Sequence, residues 1–130
     1  MSNAKTDYLE NELLDHVLNG LAYTPPSDIY VGLFTTMPND DGTGGVEVSG
    51  GSYARELVVF TVASAGQVAN NGAVTFTQAT ALWGTVLGMG LFDASTSGNL
   101  LYYGTLAASK TVDNGDTISF ANAALTVSET

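Results

Sequence analysis

Only one stretch of this chain carries a helical period, and everything after Pro26 is short apolar runs cut apart by glycine and asparagine. Ile29-Tyr-Val-Gly-Leu-Phe34 leads into Pro38-Asn-Asp-Asp-Gly-Thr-Gly-Gly45, and Glu47-Val-Ser-Gly-Gly-Ser-Tyr-Ala-Arg55 leads into Leu57-Val-Val-Phe-Thr-Val62. Val112-Asp-Asn-Gly-Asp-Thr-Ile-Ser-Phe120 sets turn residues between apolar ones. Short runs bounded by turn signals read as strands. The candidates are Ile29–Phe34, Tyr53–Val62, Val68–Ala69, Ala73–Phe76, Thr85–Phe92, Leu100–Leu106, Thr117–Phe120 and Leu125–Ser128. Such strands with no helix between them imply two packed antiparallel sheets, a mainly β sandwich of jelly-roll or immunoglobulin-like order. A closed barrel is the alternative. Asn70-Asn71-Gly72 and Asn114-Gly115 are expected to be tight hairpin turns with positive φ at asparagine. Ser97-Gly98-Asn99 is a third turn.

The helical stretch is predicted over residues 7–19. Leu9, Leu13, Leu14, Val17, Leu18 and Leu21 recur at helical spacing, with Glu10, Glu12 and Asp15 mostly opposite. Asp7 is expected to cap it, with Glu10 at capping-box distance, and Gly20 to stop it. Thr24-Pro25-Pro26 then forces an extended entry into the first strand. The segment 35–52 is polar and glycine-rich, and is predicted as a long surface loop or strand-edge arm. At 130 residues the chain is read as one domain, its helix followed by a sandwich over 28–128.

Charge narrows the function. Thirteen acids face three bases, Lys5, Arg55 and Lys110, for a formal net charge of −10. Gripping a phosphate backbone needs clustered Lys and Arg, so no nucleic acid is expected as a partner. An anionic membrane surface is disfavoured for the same reason, and no run is long and apolar enough to cross a bilayer. The polar N-terminus does not read as a signal peptide. The chain has no cysteine, which removes disulfides and thiolate metal sites. Only 12% of residues are charged, about half the usual share, which leaves much neutral surface for contact.

No residue pattern points to catalysis, a cofactor or a metal. His16, the single histidine, lies beside Asp15 at the end of the helix and off its apolar stripe, which favours a surface residue over an acid–base catalyst. Asn39-Asp40-Asp41-Gly42 offers hard oxygen ligands but lacks the alternating acids and closing Glu of a calcium loop. The glycines of 42–51 have neither the Lys nor the strand–loop–helix context of a phosphate cradle. Arg55, a base inside a predicted strand beside Tyr53, needs a carboxylate or carbonyl partner. It is expected to pin the long loop to the sheet or to anchor a subunit contact. Tyr102 and Tyr103 point to opposite faces of a strand, so one of them is expected outside.

Five stretches resemble one family: Tyr8-Leu-Glu-Asn-Glu-Leu-Leu-Asp-His-Val-Leu18, Thr24-Pro-Pro-Ser-Asp-Ile-Tyr-Val-Gly-Leu-Phe-Thr35, Glu47-Val-Ser-Gly-Gly-Ser-Tyr-Ala-Arg55, Trp83-Gly-Thr-Val-Leu-Gly-Met-Gly-Leu-Phe-Asp93 and Asn99-Leu-Leu-Tyr-Tyr-Gly104. The family is that of small virion structural proteins of tailed bacteriophages and prophages, often labelled tail-fibre-like. The resemblance implies a non-enzymatic component of the virion, assembled in the bacterial cytoplasm, and carries no catalytic residues. Together with the acidity and the lack of a fibrous repeat, it suggests a trimeric capsid decoration, or cement, protein that bridges coat subunits. The alternative is a tail-associated fibre or baseplate module that touches the host surface. The expected partners are the major capsid protein or tail proteins. Candidate contact residues are Leu9, Leu13 and Val17 on the helix, Asp40, Asp41 and Glu47 in the loop, and Tyr53, Arg55, Tyr102 and Tyr103 on the strands.

Overall fold

The computed structural model describes residues 4–129. Its elements in chain order are β1 (Ala4–Lys5), α1 (Asp7–Asn19), β2 (Ile29–Thr36), β3 (Val46–Glu47), β4 (Glu56–Val58), β5 (Gln67–Ala69), β6 (Val74–Thr75), β7 (Gly84–Phe92), β8 (Leu100–Val112), β9 (Ser119–Phe120) and β10 (Thr126–Ser128). The molecule is mainly β; among the described residues all strand pairs are antiparallel and the one helix lies near the N-terminus. A six-stranded sheet runs β1-β8-β7-β2-β3, with β4 also paired to β2. Two further two-stranded ladders, β5 with β10 and β6 with β9, complete the strands.

The core lies between the large sheet and these ladders. Val31 and Leu33 from β2, with Met89 and Leu91 from β7, alternate toward it as strand geometry requires. Val74, Phe76, Ile118, Leu125 and Val127 meet them from the other side. Each such side chain contributes about 1.5–3 kcal/mol by leaving water. Tyr53 joins the two layers by packing on Phe76 and edge-on to Trp83, with ring centroids 6.2 and 5.4 Å apart. The opposite face of the sheet carries Phe34 and Phe92, stacked at 5.9 Å. Gly32 and Gly90 make room for them. A Cβ on Gly32 would lie 2.8 Å from the Phe92 ring, and one on Gly90 would lie 2.7 Å from Phe34.

Several expectations shift. The helix spans 7–19 and stops at Gly20, which is left-handed at φ 68°. Its cap, however, is Thr6 and not Asp7. The Thr6 hydroxyl accepts from the Leu9 N–H and donates to the Leu100 carbonyl at 2.7 Å. An ionised carboxylate only accepts, so it could not tie the helix start to β8 in this way. The 35–52 segment contains β3, paired to β2 through a register shift between Phe34 and Thr36. β8 continues six residues beyond the expected Leu106, because β7 pairs with it again from Gly84–Val112 to Val86–Lys110. Tyr53–Val62 shrinks to β4, followed by an isolated bridge from Phe60 to Asn70.

The two Asn-Gly sites are not hairpins. β5 and β6, which flank Asn70-Asn71-Gly72, pair with different partners. Positive φ falls on Gly72 (106°) and Gly115 (93°), while Asn71 and Asn114 keep negative φ. The β7–β8 connection at Ser97-Gly98-Asn99 is a true hairpin turn, fastened by the Asp93 carboxylate, which accepts from the Asn99 backbone N–H at 2.7 Å.

Candidate functional site

The most connected polar cluster grows from the gap on the edge of β2 between its β4 pairing, at Ile29–Val31, and its β3 pairing, which begins at Phe34. There the Leu33 N–H points to the β3/β4 side and donates to the Tyr53 hydroxyl at 2.9 Å. That hydroxyl donates in turn to Glu47 Oε2 at 2.6 Å. Arg55 grips the same carboxylate with two prongs, Nε to Oε2 and Nη2 to Oε1, both at 2.9 Å. Its Nη1 donates to the carbonyls of Ala94 and Ser97 at 2.9 and 2.8 Å, and its guanidinium lies 3.5 Å above the centre of the Phe92 ring. Burial and the Glu47 hydrogen bond push the Tyr53 phenol well above its ordinary range. Every arm of Arg55 is thus used within the molecule, and its side chain is only 9% exposed. The cluster fixes β3 and the β7–β8 turn to the sheet edge, the pinning role expected of Arg55. Its chemistry is structural, because four of the five guanidinium N–H donors are used within the molecule and the group is stacked on Phe92.

A second cluster sits where α1 meets the long loop. The Asp7 N–H donates to the Asp40 carbonyl at 2.8 Å, and Tyr103 Oη donates to Asp40 Oδ1 at 2.8 Å. Carboxylate oxygens of Asp7, Glu10 and Asp40 lie within 4.8 Å of one another. The hydrogen bond with Asp40 and the surrounding acids hold the Asp7 carboxyl above its usual value. These are the residues that could meet a hard cation, but the acids are largely exposed, and a cluster of this kind is common without one. The Asn39–Gly42 ligand set does not converge. Asp41 instead turns back to accept from the Thr43 N–H and hydroxyl at 2.9 and 2.6 Å, which lowers its pKa.

The remaining candidates separate into inward and outward groups. Leu9 is buried at the foot of α1 and offers nothing to a partner. Leu13 is half-buried, and Val17 is exposed. Tyr102 and Tyr103 do face opposite ways, Tyr102 toward the Glu129 carboxylate and Tyr103 toward Asp40, and both are half-buried. His16 is exposed, its Nδ1 2.9 Å from the Leu21 carbonyl, where it secures the chain leaving the helix. Sequence reasoning missed Asn70, a buried side chain whose amide ties its own turn to the 121–125 segment. It also missed an apolar cavity of about 240 Å³ beside Ile29, Phe60, Val68, Leu101 and Val127.

These residues lie almost wholly within a match to one family model, which covers residues 4–128 and is described as podophage GP4 fiber I protein gp80. The chain belongs to that family. It is accordingly a structural protein of a bacteriophage virion, assembled in the host, in line with the resemblance in its five stretches. Among curated proteins, none matches.

Proposed function

We propose that this chain is a non-enzymatic module of a podophage tail fibre, held in the virion by contacts with other tail proteins. The observation that carries this reading is the fibre family model, which spans residues 4–128. It favours the tail over the capsid-decoration reading, which rested on acidity and the absence of a fibrous repeat. The side chains support a structural part: Arg55, Glu47 and Tyr53 spend their hydrogen bonds on holding β3. Among the described residues, no buried side-chain nitrogen or oxygen is left without a partner. Reactive sites commonly keep such groups poised for a substrate.

The test is co-sedimentation of the purified protein with fibreless tails and, separately, with mature capsids. Saturable binding to tails with none to capsids is expected. Binding at a stoichiometry set by the capsid lattice, with none to tails, would restore decoration and refute the fibre reading.

A further inference from the structure

The outer face of α1 is divided along its length. Its first turn belongs to the body: Leu9 is buried, and Thr6 is tied to the Leu100 and Leu101 carbonyls. Beyond that turn the helix carries Leu14, Val17, Leu18 and, just past its cap, Leu21, which are 55%, 72%, 73% and 56% exposed. Their i, i+3, i+4, i+7 spacing makes one continuous apolar stripe. On the same side, one and two turns before Leu14, lie Glu10 and Asp7, joined by Asp40 into the carboxylate cluster. A groove of about 320 Å³ runs between these zones, lined by Lys5, Glu10, Leu13, Leu14, Val17 and Leu18. An apolar stripe next to concentrated like charge is left unmatched by the rest of the molecule.

Charge decides what fits. A second copy of this chain brings a net charge of −10. Two of its three cations are already engaged, Lys5 with Glu129 and Arg55 with Glu47. A like-charged copy placed against the acids of α1 is disfavoured, and an anionic lipid surface meets the same objection.

The geometry points to α1 as a docking helix for a basic amphipathic segment of another virion protein, whose apolar side chains lie on Leu14, Val17, Leu18 and Leu21 while its Lys or Arg residues meet Asp7, Glu10 and Asp40. An amphipathic helix laid along an apolar groove is a common recognition mode, and the flanking charges set its direction and partner. The proposal concerns the chemistry of the partner and holds wherever on the particle that partner lies, so it is tested apart from the tail assignment.

The probe is a synthetic amphipathic helical peptide of Leu and Lys, compared with the same peptide carrying Glu in place of each Lys. Binding to the full chain is followed by fluorescence anisotropy at low and high salt. The Lys peptide is expected to bind, less tightly in salt, and the Glu peptide to bind at least about tenfold more weakly. Leu18→Glu separates a seated helix from general attraction to an acidic protein. It adds a negative charge, so a purely coulombic attraction would strengthen, whereas a seated apolar face should lose about tenfold or more. Leu82→Glu, equally acidic and on an exposed residue away from α1, serves as the control and should not weaken binding. Circular dichroism melts confirm that both variants fold. Equal binding of the two peptides, absence of binding, or undiminished binding by Leu18→Glu overturns the proposal. So does self-association of the wild-type chain in sedimentation velocity that Leu18→Glu abolishes, since the stripe would then belong to a second copy.

Discussion

Replacing Asn70 by Ala should cost more than any other single polar truncation in this fold. Asn70 is 1% exposed. Its Nδ2 donates to the Gly72 carbonyl at 2.7 Å and the Ala121 carbonyl at 3.0 Å, and its Oδ1 accepts from the Leu125 N–H at 2.8 Å. Its own N–H donates to the Leu125 carbonyl and its own carbonyl accepts from Ala123, so the side chain completes a reciprocal clasp on the segment leading into β10. The alanine variant orphans the buried Leu125 N–H, at about 1–3 kcal/mol, and removes two bonds to part-buried carbonyls, each worth about 0.5–1.5 kcal/mol. The sum is roughly 2–6 kcal/mol, a large share of the 5–15 kcal/mol typical of a folded domain. Asn70→Asp keeps the acceptor but loses both donors and buries a charge, so it should be no milder. Urea unfolding followed by the fluorescence of the buried Trp83 measures the loss, with the exposed Asn71→Ala as control. A loss below about 1 kcal/mol for Asn70→Ala, or one no larger than that of Asn71→Ala, would refute the clasp.

Arg55→Ala should destabilise by about 3 kcal/mol, because it strands Glu47 and uncovers Phe92. Arg55→Lys should recover only part of this, since it restores neither the two-pronged grip nor the stacking; equal stability of Lys and Arg in denaturant titrations would contradict that geometry. Ala123 holds φ at 63°. Ala123→Gly should therefore raise stability by about 0.5 kcal/mol or more, the relief of the left-handed strain exceeding the added freedom of the unfolded chain; a lowered melting temperature would count against it. Burial and the Asp40 hydrogen bond push the Tyr103 phenol up from 10.0 to about 12. A raised pKa means that the native state holds the proton more tightly. Its contribution is whole below pH 10.0 and is lost as pH rises toward about 12. Melting temperature against pH should fall through that window, and less steeply in Tyr103→Phe; identical profiles would show that Tyr103 is not involved.

The parts of the fold legible in the sequence are those set by local pattern. The period of Leu9, Leu13 and Val17 and the stop at Gly20 locate α1, and Ile29–Phe34 and Thr85–Phe92 fall within β2 and β7. The need of Arg55 for a carboxylate was equally readable, although it lies just before β4 and not within a strand, and Glu47 supplies it. What the sequence hid depends on distant partners. Ala107–Val112 has little strand character of its own and extends because β7 pairs with it. Asn70 reads as a turn former because asparagine usually is one; its amide is instead enclosed by Ala121 and Leu125, about fifty residues away. The apolar period of α1 likewise cannot reveal where the body ends beneath it, so Leu9 and Val17 look equivalent in sequence and are opposite in burial.

The ion pair between Lys5 and Glu129 brings the two ends of the described chain to one corner of the molecule. Tension applied through those ends would not stretch the body between them. It would first peel β1, two residues paired to β8, and β10, three residues paired to β5. The long β2–β7–β8 ladders would bear load only after those short pairings had parted, so the body hangs from its ends as a pendant and does not lie in line with the pull.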